Sequence, residues 1–192
     1  MKKVLIGVGV FLVLLIVVLA MLGIYARNTY NRMVVMQEGV NASWAQVQTV
    51  LQRRFDLIPN LVETVKGYAS HEERVLTAVT EARAKVGGAG TPADRMKAEG
   101  ELSGALSRLM VVVENYPQLK ANQNFIMLQD QLEGTENRIS VERQRYNEEV
   151  RGFNQFIRMF PQTIIAGMFG FEKRPFFEAP GEAQQAPKVQ FK

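Results

Sequence analysis

The sequence has no cysteine, one histidine and one tryptophan in 192 residues. Without cysteine there are no disulfides, no thiolate metal sites and no thiol nucleophile. The single histidine, His71 in SHEERV, cannot complete HExxH, nor supply the two Glu-x-x-His pairs of a di-iron bundle. It reads as a surface residue near a helix start. No serine sits in a nucleophile-elbow context that would pair with it. The glycines at 87–90 lack the Lys-Ser/Thr of a phosphate loop and lead into no strand–helix unit. The net charge is +4 with both signs interspersed, which argues against nucleic acid as a partner. These absences leave no catalytic, cofactor-binding or metal-ligating residue to nominate. The chain reads as a non-enzyme without a cofactor.

Apolar residue is abundant, at 47%, but unevenly spread. Val4 to Ala26 reads VLIGVGVFLVLLIVVLAMLGIYA, with no charge. As a helix it is roughly 34 Å long, enough to cross a hydrocarbon core of about 30 Å. A buried core helix would alternate with polar residues. A signal peptide would have a shorter apolar region and a clear small-x-small cleavage site. The run therefore reads as an uncleaved membrane anchor. Lys2 and Lys3 precede it and Arg27 and Arg32 follow it. By the positive-inside rule this leans slightly towards a cytoplasmic N-terminus with the rest of the chain outside the cytoplasm.

Beyond the anchor nearly everything has helical periodicity. A first helix is expected from about Asn28 to Leu57, with Tyr30, Val34, Trp44, Val47, Leu51 and Phe55 on one face. A second is expected from Pro59 to Val86. It is disturbed near Gly67, and Ser70 with Glu73 has capping-box spacing for a restart. In KVGGAGTPADRM, residues 85–96, Gly87 and Gly88 suit a left-handed helix end. Thr91 suits an N-cap, Pro92 the first helical position and Asp94 the first turn. A third helix then runs to about Tyr116, and after Pro117 a fourth runs from about Gln118 to Arg158. On the fourth, Phe125, Leu132, Ile139, Tyr146, Phe153 and Phe160 recur every seven residues, the seam of a helix that packs on neighbours.

Pro59 lies inside a regular apolar face made by Phe55, Ile58, Val62, Val65 and Ala69. A proline in a helix interior costs about 3 kcal/mol, so it marks a break. Pro59 and Pro117 stand nearly equally far from the glycine turn. Two long helices broken at one height fold back together into four antiparallel helices. The rival is a long bent hairpin with Pro59 a mere kink. Arg53, Arg54 and Asp56 are expected to brace the fold-back against Glu114 or Asn115. Asn31, Asn147 and Asn154 suit interhelical hydrogen bonds. Glu133, Glu136, Glu142, Glu148 and Glu149, among Arg138, Arg143, Arg145 and Arg151, read as a solvated face with pairs such as Glu142–Arg145. A buried carboxylate metal site is the alternative.

The expected fold is thus all-α: an anchor over 1–27, an antiparallel four-helix bundle over 28–171 and a largely disordered tail over 172–192. The tail's closing KVQF offers a short strand to a partner. In this topology the stretch after the fourth helix returns to the bilayer. Ile164, Ile165, Met168, Phe169 and Phe171 are then candidates to enter the membrane interface or to pack on the base of the anchor, with a cap on the bundle's end as the alternative.

RRFDLIPNLVETVKGYASHE, YPQLKANQNF, LQDQLEGTENRISVERQRYNEEVRGFN and the late FFEA resemble the LemA family of bacterial membrane proteins, over roughly Arg27 to Ala179. The resemblance implies a single N-terminal transmembrane helix before an antiparallel four-helix bundle, in the bacterial inner membrane. An older view of the family puts the N-terminus outside and the domain in the cytoplasm, against the charge reading. No agreed activity comes with it, so no functional residue is carried over. Two functions remain. One is a scaffold or homo-oligomer that organises or shapes the lipid bilayer. The other is an adaptor that presents partner proteins to a membrane enzyme such as a protease.

Overall fold

The computed structural model describes residues 2–178, and among these no strand occurs. The helices are α1 (Lys2–Lys66), α2 (Glu73–Gly88), α3 (Pro92–Val113), α4 (Pro117–Lys120), α5 (Gln123–Phe156) and α6 (Gln162–Phe169). One of them, among the described residues, is long and apolar enough to cross a membrane, and its apolar stretch is unburied. The chain divides into two compact units. Among the described residues the first comprises 2–42 with Glu148–Arg174, and the second Ser43–Asn147 with 175–178.

Helix α1 passes through Pro59 without ending, which corrects the expectation of a break there. Proline removes the N–H that would bond the carbonyl of Phe55. That carbonyl is served instead by Arg83, whose Nε donates to it at 3.1 Å while the guanidinium lies 3.8 Å from the centre of the Phe55 ring. Ile58 and Leu61, on either side of the proline, are fully buried, so packing holds the helix through it. The seam it keeps is Val40, Val47, Arg54 and Leu61, every seven residues, with Leu51 and Ile58 between and Val65 after.

The real breaks lie at residues 67–72 and 114–122. They meet in the second unit. The Asn122 side-chain amide donates to the Tyr68 hydroxyl at 2.8 Å, and the Tyr116 hydroxyl donates to Glu72 Oε1 at 3.0 Å. The bond to Glu72 raises the Tyr116 phenol above its ordinary range. The breaks that meet are thus those after Lys66 and around Pro117, not breaks at Pro59 and Pro117. The anticipated capping box is absent: α2 starts at Glu73 with Glu72 as N-cap and no side-chain cap bond. Helix α5 starts from a cap not anticipated, Asn122, whose Oδ1 accepts from the N–H groups of Asn124 and Phe125.

At the tip, Thr91 Oγ accepts from the Asp94 N–H at 3.1 Å with Pro92 at the first helical position, as expected. The glycines differ from expectation. Helix α2 continues through Gly87 and Gly88, and Ala89 caps it in an extended conformation. Lys85 and Glu101 pair at 2.7 Å across the α2–α3 hairpin. Each favours the other's charge, so the ammonium lies above and the carboxyl below its usual range.

Five helices feed one core in the second unit: Ile58, Leu61 and Val65 from α1, Leu76 and Val79 from α2, Leu102 and Leu109 from α3, Leu119 from α4, Phe125 and Leu132 from α5. The seven-residue seam of α5 is buried from Phe125 to Phe153, but Phe160, beyond the end of the helix, is 80% exposed. In the first unit α1 and α5 run antiparallel. A Cβ on Gly39 would lie 3.2 Å from Glu149, one on Gly152 3.7 Å from Met36, and Arg32 sits over the Phe156 ring.

Candidate functional site

Two arrangements go beyond ordinary packing. The first is a charged cluster in the second unit. Arg54 stands on the buried seam of α1 and Glu99 on that of α3, with Leu102, Leu106 and Leu109. Arg54 Nη1 donates to Ser103 Oγ at 3.0 Å, makes an ion pair with Glu136 Oε2 at 3.1 Å, and lies 3.9 Å from Glu99 Oε2. Glu136 reaches solvent, whereas Glu99 is 3% exposed and neither of its oxygens has a hydrogen-bond partner. Burial pushes the Glu99 carboxyl up to about 7, against the pull of Arg54 and Arg95 and with a further push from Glu136. Arg54 does not brace the fold-back, and Glu114 pairs with Lys120 instead.

Ser103 and Glu136 also line a groove of about 1030 Å³, whose floor includes Ala82, Gly100 and Gly104 and whose wall includes Phe176. Arg54 thus bonds Ser103 and pairs with Glu136, two residues of the groove's lining. Among the described residues no group of three or more histidine, aspartate and glutamate side chains is placed to hold a metal. Glu142 pairs with Arg145 at 2.9 Å on an open helix face, as expected.

The second arrangement is aromatic and lies in the first unit. Tyr30 on α1 meets Phe169 at 4.8 Å and Phe171 at 5.7 Å between ring centres, and Phe171 meets Phe153. Gly170 adopts φ 72°, a left-handed conformation that glycine takes readily, and so turns Phe171 back beneath α6. The five candidate residues fall together here, on different sides. Ile165 is buried and Phe171 half-buried, whereas Ile164, Met168 and Phe169 are exposed.

Asparagines hold the segment that follows. In the first unit Asn154 donates to the Arg174 carbonyl and accepts from its N–H, both at 2.8 Å. In the second, Asn147 does the same for Phe177, and the Tyr146 hydroxyl donates to the Pro175 carbonyl. Phe177 is buried and faces Trp44. These asparagines therefore fasten a strap rather than bond between helices, while Asn31 is exposed. Of the expected tail, residues 172–178 are the start of this strap. Residues 179–192, with KVQF, lie outside the described residues.

Sequence reasoning missed Arg54 and Glu99 as core residues. The signal was present: each falls on the three-and-four spacing of its neighbours' buried positions.

These features define an all-helical protein carrying one helix with the length and apolarity of a membrane span. The chain belongs to the LemA family, whose sequence model matches residues 43–191. Curated relatives include magnetosome protein MamQ 2 of Paramagnetospirillum magneticum, 26% identical over 175 residues, covering 78% of this chain and 64% of the relative. Magnetosome protein MamQ of Magnetospirillum gryphiswaldense is 24% identical over 174 residues, covering 77% and 64%. The chain thus matches less than two thirds of the length of these relatives.

Proposed function

We propose that this chain is a membrane-anchored, non-enzymatic scaffold that associates with copies of itself to organise or shape the bilayer. The observation that carries this is the continuity of α1. The apolar run and the seam that enters the folded core belong to one helix, so contacts made by the folded segments act directly on the membrane span. Proteins held at a membrane are concentrated in two dimensions, so weak lateral contacts assemble them. The relatives are named magnetosome proteins, which favours a part in a cellular assembly over catalysis. The charge balance around the anchor favours extracytoplasmic folded segments.

A second reading, an adaptor for a membrane enzyme, is favoured by the groove that runs beside Phe176. Sedimentation of the full chain in detergent separates the two. A large, uniform assembly of pure protein supports the scaffold. A monomer that captures one defined partner in stoichiometric amount supports the adaptor and removes the scaffold.

A further inference from the structure

We propose that residues 157–174, centred on α6, form a second membrane contact that docks on anionic phospholipid headgroups beside the anchor. This rests on the reading of the apolar run as a membrane span.

Placement comes first. Arg27 is the first charge after the apolar run, and Tyr30 follows it by three residues, about 4.5 Å along the helix. Phe169 and Phe171 contact the Tyr30 ring, one tilted and one edge-on. The α6 segment is therefore fixed within about one helical turn of the point where α1 leaves the hydrocarbon.

Burial is one-sided. Ile165 and Ala166 hold α6 down, while Ile164, Met168 and Phe169 on the helix and Phe160 in the turn before it are exposed. Phe160 is 80% and Met168 75% exposed. Contiguous large apolar side chains left in water mark an interaction surface. Beside a membrane, that surface suits an interfacial helix.

Charge selects the lipid. From Arg158 to Phe171 there is no acidic residue. In the sequence Arg158, Lys173 and Arg174 flank the segment and Arg27 precedes Tyr30 by three residues, while Glu172 is the one acidic residue from Arg158 to Arg174. Basic side chains at this height are attracted to an anionic leaflet, on the order of fivefold in partition for each one.

The absence of cysteine makes the test direct. A spin label is attached to full-length Met168→Cys, reconstituted in phosphatidylcholine vesicles with and without phosphatidylglycerol. Its collisions with oxygen and with a water-soluble nickel chelate are then compared. Oxygen should dominate when phosphatidylglycerol is present and lose ground when it is absent. Arg158→Gln with Lys173→Gln should lower the docking equilibrium constant on the order of 25-fold. The same label on Val35→Cys, about 12 Å beyond Arg27 along α1, should meet nickel. Dominance of nickel at position 168 in both vesicles overturns the proposal. So does shielding from both reagents, which would mean a protein covers the patch. Equal oxygen access in both vesicles overturns the headgroup requirement. A label on Leu14→Cys reports the anchor separately. Nickel access there would defeat the anchoring reading, not this one alone.

Discussion

In the first unit, rings dominate where the chain closes on α1: Tyr30, Phe153, Phe169 and Phe171 contact one another, and Arg32 covers Phe156. In the second, the core is largely aliphatic, yet it encloses Arg54 and Glu99. Aromatic contacts tolerate a change of surroundings because rings fit both apolar and interfacial environments. Buried charges do not, because each depends on a particular partner at a particular distance. The difference suits a unit that carries the apolar run and a unit whose register must be unique. A charged residue at a seam position selects one alignment of neighbouring helices, at a cost in stability.

The sharpest way to break this comparison is Arg54→Met. Above pH 7, where Glu99 is ionised, it removes the cation that acts most strongly on that carboxylate, and loss of one member of a buried pair costs about 3–5 kcal/mol. Hydrogen exchange should show lost protection at Leu102 and Leu109, with Met33 and Phe153 unaffected. Uniform loss in both units would mean that the two do not differ in this way.

Next comes pH. Glu99 holds its proton to about 7 when folded, above its ordinary 4.5. The folded state therefore binds more protons than the unfolded chain between these values, and stability falls as pH rises through that window. The full effect is about 3 kcal/mol. Denaturant titrations at several pH values should show the decline, and Glu99→Gln should flatten it.

A smaller effect concerns the proline. Arg83→Met leaves the Phe55 carbonyl unserved and should cost about 1–3 kcal/mol. In a Pro59→Ala background the cost should shrink, because the restored N–H serves that carbonyl. Equal costs in both backgrounds would show that the Arg83 bond does not compensate for the proline.

The smallest compares the strap across the units. Asn147→Ala and Asn154→Ala each remove two hydrogen bonds to one residue's backbone. Each should cost about 1–2 kcal/mol. Melting curves that differ widely would show that the shared device acts differently in the two settings.

The sequence announced some of this plainly and hid the rest for physical reasons. The apolar run, the Thr91 cap and the seam from Phe125 to Phe153 are local or periodic signals, and they were legible. Pro59 misled because its cost is local while its compensation comes from Arg83, 28 residues away in the chain. The glycines at 87 and 88 misled because glycine permits a left-handed helix end without requiring one. Arg54 and Glu99 were hidden by their type, since a charged side chain is seldom fully buried. Their positions, seven residues from Val47 and three from Leu102, marked them as buried. The strap went unseen because asparagine side chains bonding a backbone some 20 to 30 residues away leave no periodic trace.

The most direct test of the account is electron microscopy of the purified full-length chain reconstituted into lipid vesicles. A membrane scaffold should appear as regular assemblies embedded in the bilayer, with the vesicle surface altered where they gather. Isolated single particles scattered on unaltered vesicles, at every protein density tried, would contradict it.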